Sequence, residues 1–480
     1  MTTGDLITLL PLIVLSATPV VVMLAAAFYR SHGLALGVTL AGLAAAFGTI
    51  FIAATRDERQ VTPLLVFDDF SLLFIGLLLV ATAAVAVLSW GYLTRRGVHP
   101  EEFYVLLLAA TVGGVTMVAS THFASLFLGL EILSVSLYVL IVYPMHRSEL
   151  VEAAVKYLVL AGATSAFLVF GMGLVYAETG ALSSRAISAV IAGGFSSSQV
   201  IVAAGVVILL VGLGFKLAVV PFHMWTPDVY QGAPVPVTAY IATVSKGAVF
   251  VLLLRYLGPL GLHTDATLFL ALTAVAMASM IAGNLLALRQ DNVKRLLAYS
   301  SIAHLGYMLV AFLAAGDRSA VAVTLYLVVY VATNLAAFGV ITVLSPAERD
   351  AELIEDYRGL GTRRPALAAI FTIALLSLAG MPLTAGFVGK FYLLTAGTGA
   401  ALWGLVVVLV LTSTIGLYYY TRLVVAMYVQ EPLHEPARLR RAVPVAASVV
   451  LVLLTVVVIV LGVYPGPLVD LIERAVATLG

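Results

Sequence analysis

The sequence is a succession of apolar runs, each near twenty residues long, separated by short polar or charged stretches. A helix of that length, at 1.5 Å per residue, spans a hydrocarbon core about 30 Å thick. Hydropathy marks out fourteen: Leu6–Phe28, Gly33–Ala54, Phe70–Leu93, Phe103–Ala119, Phe123–Tyr143, Ala153–Ala177, Val200–Val220, Val237–Leu257, Ala266–Leu288, Leu296–Ala315, Ala320–Leu344, Ala366–Ala396, Ala401–Met427 and Val443–Val463. In lipid, backbone N–H and C=O groups must be bonded internally, so continuous runs predict helices and an all-α polytopic membrane protein. The ten-residue alternation of a membrane β-barrel is not the pattern here. Composition agrees: 62% of the 480 residues are hydrophobic and 10% charged, with mean hydropathy +1.11. No soluble chain of this size needs so much apolar surface.

Met1 to Ala27 has an apolar core but almost no positive charge before it and no clear small-residue cleavage site. It reads as the first spanning helix, not as a removed leader. A net charge of +1 offers nucleic acid no electrostatic footprint. The absence of cysteine excludes disulfides, thiol chemistry and cysteine-held iron–sulfur clusters from this chain. Loop cations are uneven. With the amino terminus outside, 14 fall on the cytoplasmic side and 6 outside, and the excess belongs in the cytoplasm. Both termini are therefore expected to be extracytoplasmic. Ser183–Ser198 reads as a Ser/Gly-rich outer loop, and Ser345–Arg364 as a charged inner loop with an amphipathic helix over Ala347–Tyr357. After Tyr464 the tail reads as an interfacial helix ending at Leu479.

Three lysines lie inside spans. A charge at the bilayer centre costs about 2.5–3.5 kcal/mol on insertion scales, so an intramembrane lysine is a functional candidate. Lys216 comes just before Pro221, which cannot continue a helix. Such a break survives in lipid only where protein or a wet cavity covers it. Thr226-Pro227-Asp228 then reads as cap, first-turn proline and first-turn acid of a short new helix, ended by Pro234 and Pro236. Lys246 falls about ten residues into the next run, near mid-depth. Segment twelve, LLSLAGMPLTAGFVGKFYLL, breaks at Gly380 and Pro382, and Lys390 follows. Segments seven and twelve cross in opposite directions. A lysine before one break and after the other suits an inverted repeat, the pattern that points to a transporter's ion site. The division is residues 1–102 (helices one to three), 103–260 (first repeat, helices four to eight), 261–430 (second repeat, helices nine to thirteen) and 431–480 (helix fourteen and tail). Two unrelated proline kinks are the plainer alternative.

Glu131, in FASLFLGLEILSVSLYVL, is the clearest carboxylate at mid-membrane. It either takes up a proton or finds a cation, with Lys216 the natural partner. A single ion pair fixing helix packing is the bland alternative. Lys246 and Lys390 have no acid in their own segments. A lysine removed from water can exchange protons near neutrality, and interacting sites of this kind suit a proton relay. His304 sits mid-span with Ser300, Ser301 and Tyr307 at helical spacings; histidine can pass a proton between its two ring nitrogens. A neutral histidine bonded to a neighbouring helix fits as well. Glu152 and Lys156 are spaced i, i+4. They form a surface pair or, with His223 and Asp228, mark a proton inlet. Gly386–Lys390 ends in Gly-Lys but lacks the P-loop spacing, and no dinucleotide fingerprint follows a strand.

Three stretches, GLGFKLAVVPFHMWTPDVYQGAPVPVTAYIATVSK, DNVKRLLAYSSIAHLGYML and LAGMPLTAGFVGKFYLL, resemble the antiporter-like membrane subunits of bacterial respiratory complex I, the proton-translocating NADH:quinone oxidoreductase. VPFHMWTPDVYQGAP is specific to the subunit N family among them, and the resemblance covers about segments three to thirteen. It implies fourteen helices with two inverted five-helix units, each holding a broken helix. It implies that Glu131, Lys216, Lys246 and Lys390 are the family's relay positions, with His304 on the same polar axis. NADH, FMN, iron–sulfur clusters and quinone would belong to partner subunits, and this chain would bind no cofactor and no metal. Its partners would be other membrane-arm subunits, above all neighbouring antiporter-like ones, in the bacterial cytoplasmic membrane. The charge pattern alone also fits a cation/proton antiporter subunit of the Mrp or energy-converting hydrogenase type, or a structural spacer.

Overall fold

The computed structural model describes residues 3–55, 59–97, 100–143, 148–191, 199–259, 265–429 and 443–479. Among them, thirteen helices are long and apolar enough to cross a membrane. The twelfth expected segment is instead two fifteen-residue helices, Pro365–Ala379 and Ala385–Gly399. With these, all fourteen expected segments are helical, and their ends lie close to the hydropathy boundaries. Segment six is the largest exception, running from Ser148 to Thr179. Its first turns carry Glu152 and Lys156, so hydropathy undercounts it.

Capping fixes several of these starts. The Asp68 carboxylate accepts from Ser71 N, and Ser71 Oγ accepts from Asp68 N, a reciprocal box at the head of segment three, Asp69–Arg95. Asn292 caps segment ten, Val293–Ala314, through Arg295 N. Threonine and serine hydroxyls inside the spans return to the carbonyl four residues back, as Ser89 does to Val85 at 2.6 Å, which satisfies them without a partner helix. Neighbouring helices meet backbone to backbone at glycines, as expected where lipid offers no hydrophobic drive to association. A methyl on Gly113 would lie 2.6 Å from the Gly129 carbonyl, which joins segments four and five; one on Gly283 would lie 2.7 Å from Ala303 N, which joins segments nine and ten.

Several loops differ from expectation. A two-stranded hairpin, Arg59–Thr62 with Leu65–Phe67, precedes segment three. Ser184–Ile191 is a short helix, not loop, because its apolar residues Ile187 and Ile191 share a buried face; residues 192–198 lie outside the described part. The amphipathic helix over Ala347–Tyr357 does not form, and only Ile354–Tyr357 makes a 3₁₀ turn. That backbone is engaged elsewhere: the Glu352 carbonyl accepts from Val293 N, and Asp356 takes Leu353 N. The tail helix runs Gly466–Val476 and buries Val469, Ile472, Ala475 and Val476 against the protein.

In segment seven the helix Val200–Leu217 stops at Ala218, which has φ +63°. The short helix is Trp225–Gly232. It begins a residue before Thr226, whose hydroxyl is buried without a hydrogen-bond partner and so caps nothing. Pro234 and Pro236 begin the next helix instead of merely ending this one: Val235 starts segment eight, which reaches Leu257 through a π-helical turn at Ile241–Ser245. Two cations counted with the loops are buried in spans, and Arg95, Arg295 and Arg318 also fall within spanning helices. Arg255 is buried in segment eight and Lys294 in segment ten. Of the other counted cations, Arg56, Arg147, Arg438, Arg440 and Arg441 lie outside the described residues.

Candidate functional site

The three lysines are buried, with 6%, 1% and 7% of Lys216, Lys246 and Lys390 exposed. Each meets the same two groups. Lys216 Nζ donates to Ser134 Oγ, Lys246 Nζ to Ser301 Oγ and Lys390 Nζ to Ser413 Oγ, all at 2.7 Å. Each ammonium also faces a tyrosine ring: Tyr157 at 6.0 Å, Tyr230 at 5.3 Å and Tyr307 at 5.3 Å. An ammonium over an aromatic face is held by the ring quadrupole. The serines come from segments five, ten and thirteen, so the pattern arises only in the folded chain.

Lys216 sits in the last turn before the break of segment seven. At the break the Phe215 carbonyl accepts from Ala218 N and from Trp225 Nε1, each at 2.9 Å. The Trp225 ring also packs against Tyr157, tilted by 35° with centroids 4.9 Å apart. Glu131 is half-buried and accepts from Ser165 Oγ at 2.5 Å. It makes no direct ion pair with Lys216 among the described residues. Ser134, the partner of Lys216, lies three residues beyond Glu131 on the same helical face, so the carboxylate stands beside the lysine, with a hydroxyl in the contact position. Tyr138 Oη nearby, and Thr226 Oγ1 and Tyr230 Oη on the short helix, have no hydrogen bond of good geometry.

Segment ten carries the middle of the site. Ser301 accepts from Lys246 and is bonded to Tyr330 Oη at 2.6 Å. His304 Nδ1 meets Tyr326 Oη at 2.6 Å, and Nε2 meets Tyr420 Oη at 3.2 Å; Tyr420 is in turn bonded to Ser300. One nitrogen of a neutral imidazole accepts and the other donates, so both tyrosine contacts can be satisfied at once. Lys390 reaches back across the break of segment twelve. Its ammonium donates to Leu378 O at 2.9 Å, Ala379 O at 2.8 Å and Ser413 Oγ. These three acceptors match its three donors, two of them at the negative C-terminus of Pro365–Ala379.

The other candidates lie apart from this core. Lys156 Nζ is 2.7 Å from Glu152 and 3.0 Å from Asp228, and Arg295 reaches Asp228 at 2.7 Å, all partly exposed. Glu152, Lys156 and Asp228 thus form one cluster. His223 does not join it; its ring is buried in the turn and Nδ1 has no partner.

Sequence reading missed two charge centres. Asp68 and Arg255 form a buried bidentate pair, both bonds 2.8 Å. Asp350 accepts from Lys294 at 2.9 Å, Arg96 at 2.9 Å and Tyr92 at 2.8 Å, while Lys294 also holds the Ala233 carbonyl at 2.7 Å. Burial alone would push the Asp350 carboxyl up; Lys294, Arg96 and the Tyr92 hydroxyl outweigh it and hold the group below the usual aspartate value. In both cases hydropathy assigned a cation to a loop that the fold buries.

Residues 120–416 match the family described as NADH:quinone oxidoreductase/Mrp antiporter, transmembrane. NADH-quinone oxidoreductase subunit N of Methylococcus capsulatus is 46% identical over 476 residues, 98% of this chain and 95% of that protein. Among solved structures, a chain of respiratory complex I from Thermus thermophilus with bound aureothin superposes with TM-score 0.83 at 33% identity, covering 97% of this chain and 100% of that one. A chain of the archaeal membrane-bound sulfane sulfur reductase superposes with TM-score 0.83 at 26% identity, over 99% and 97% of the two chains. A chain of the Mrp complex from Dietzia shares the fold, with TM-score 0.85 at 22% identity over 100% and 98%. The buried lysines and broken helices thus sit in a chain that belongs to the subunit N family of NADH-quinone oxidoreductases.

Proposed function

We propose that this chain is a membrane-arm subunit of bacterial respiratory complex I that moves protons across the cytoplasmic membrane along Glu131, Lys216, Lys246, His304 and Lys390. NADH oxidation, FMN, the iron–sulfur clusters and quinone reduction belong to partner subunits, and this chain supplies the translocase. The observation that carries the reading is the threefold recurrence of a buried lysine on a serine hydroxyl and a tyrosine face. A charge kept in lipid at such cost calls for a functional reason, and hydroxyl partners can both accept and donate a proton.

In this reading the chain divides into residues 1–102, 103–260, 261–430 and 431–480, and the middle two are inverted repeats. The glycine contacts between segments four and five and between nine and ten, the first two helices of each unit, support that division. Both termini are extracytoplasmic, and the Glu152–Lys156–Asp228 cluster is the proton inlet, with His223 behind it. Neighbouring antiporter-like subunits alter the Glu131 charge and so the hold on Lys216. The second reading, a cation/proton antiporter subunit of the Mrp or energy-converting hydrogenase type, draws on the shared fold with the Mrp chain.

Purification from native membranes separates the two. Co-isolation with NADH-oxidising subunits is expected. Cation/proton exchange by a complex lacking NADH-oxidising subunits would favour the antiporter.

A further inference from the structure

The three lysine–serine contacts differ in where the serine hydroxyl leads. Ser134 returns to its own helix, donating to the Leu130 carbonyl at 2.6 Å. Ser301 is joined instead to another hydroxyl, Tyr330 Oη, at 2.6 Å. One turn along segment ten, His304 Nδ1 meets Tyr326 Oη, and Tyr326 is one turn from Tyr330 on segment eleven, Asp317–Leu344. Two facing helices thus carry two rungs, Ser301–Tyr330 and His304–Tyr326. All four residues are at most 3% exposed. Lys246 is attached to the first rung, and the second leads through His304 Nε2 to Tyr420 and Ser300.

We propose that Ser301 and Tyr330 are relay residues through which a proton leaves Lys246 for His304. This rests on the reading of the chain as a proton translocator. Lys246 Nζ gives a proton to Ser301 Oγ as Ser301 gives its hydroxyl proton to Tyr330 Oη. Tyr330 passes its own proton through one bridging water to Tyr326 Oη, which gives its hydroxyl proton to His304 Nδ1. Five bonds to hydrogen break and five form; the ammonium becomes an amine, the imidazole an imidazolium, and the three hydroxyls and the water end as they began. No oxidant or reductant is needed. The rungs lie about 4.5 Å apart along the axis of segment ten, a gap that one bridging water spans.

The test uses the assembled complex in proteoliposomes, reading quinone-dependent NADH oxidation and lumen acidification for Ser301→Ala, Ser301→Thr, Tyr330→Phe and Lys246→Ala. Ser301→Ala and Tyr330→Phe should each slow pumping by about a hundredfold or more, the low end of what a positioned proton-transfer group contributes. Ser301→Thr, which keeps the hydroxyl, should recover most of the rate. A packing role alone would not favour threonine over the smaller alanine, and a role in anchoring Lys246 alone would leave Tyr330→Phe pumping at the wild-type rate. Wild-type pumping by Ser301→Ala or Tyr330→Phe overturns the relay, and so does Ser301→Thr as slow as Ser301→Ala. If Ser301→Ala fails to assemble, Tyr330→Phe decides by the same criterion. Loss of pumping in Lys246→Ala alongside normal Ser301→Ala sinks only the relay; normal pumping in Lys246→Ala sinks the translocation reading itself.

Discussion

Removing the Asp68–Arg255 pair should be among the costlier single changes in this chain. Both guanidinium–carboxylate bonds are 2.8 Å, the two side chains are 3% and 6% exposed, and Phe70 lies 5.4 Å below the guanidinium. Two charge-assisted bonds at about 1.5–3 kcal/mol each give roughly 3–6 kcal/mol. That overlaps the ~3–5 kcal/mol typical of breaking a buried pair from one side. Asp68 also caps segment three, but asparagine caps equally well, so Asp68→Asn isolates the charge effect. Asp68→Asn and Arg255→Met should each cost about 3–5 kcal/mol, a hundredfold or more in the folded population at about 1.4 kcal/mol per decade. The double variant, with no buried charge left, should return to within about 1 kcal/mol of wild type. Titration of the full chain in mixed micelles with a denaturing detergent, followed by helical circular dichroism, measures all four corners of the cycle. A single-variant cost below about 1 kcal/mol, or a double variant as unstable as the sum of the singles, refutes the reasoning.

Gly380→Ala should disturb Lys390 directly. Gly380 has φ +86°, and a methyl there would lie 2.8 Å from Lys390 Cδ and 3.1 Å from Nζ. The left-handed backbone alone costs about 1–2 kcal/mol, and a displaced ammonium loses the carbonyls of Leu378 and Ala379. Pumping by the assembled complex should fall; an unchanged rate would mean that those carbonyl contacts do not matter. Asp350 predicts a pH dependence. Its folded pKa is depressed, so its contribution to stability is fully present above the unfolded value of about 3.9 and is lost as pH falls through the lower folded value. Asp350→Asn should therefore be less stable than wild type at pH 7, and the gap should close below about pH 4 in unfolding titrations. A gap that is constant with pH would remove the ionised carboxylate from the account.

The architecture was legible because lipid leaves the chain little choice. Runs near twenty residues must become helices, and a proline or lysine inside one stands out against apolar neighbours. Lys216, Lys246 and Lys390 could be picked for that reason, and the same rule exposed both breaks. What surrounds them was not legible. Ser134, Ser301 and Ser413 look like any serine that bonds back to its own helix, and no sequence signal ties each to a lysine on another segment. The helical spacing of Ser300 and Ser301 to His304 was the nearest clue. Arg255 and Asp68 are 187 residues apart, and Arg255 stands at the end of an apolar run, where a loop cation is the natural reading. Lys294, at the start of another, misleads in the same way. Whether Glu131 and Lys216 touch could not be read for a subtler reason: opposite charges on segments five and seven suggest contact, whereas packing puts Ser134 against the lysine and Ser165 against the glutamate.

Lys246 allows the sharpest measurement, because arginine keeps a positive charge yet does not give up its proton in proteins. NADH-driven acidification of proteoliposomes holding the assembled complex should be compared for wild type, Lys246→Ala and Lys246→Arg. Proton exchange at this position predicts that both variants lose pumping. Pumping by Lys246→Arg at the wild-type rate would mean that the buried charge matters and its proton does not, which contradicts the account.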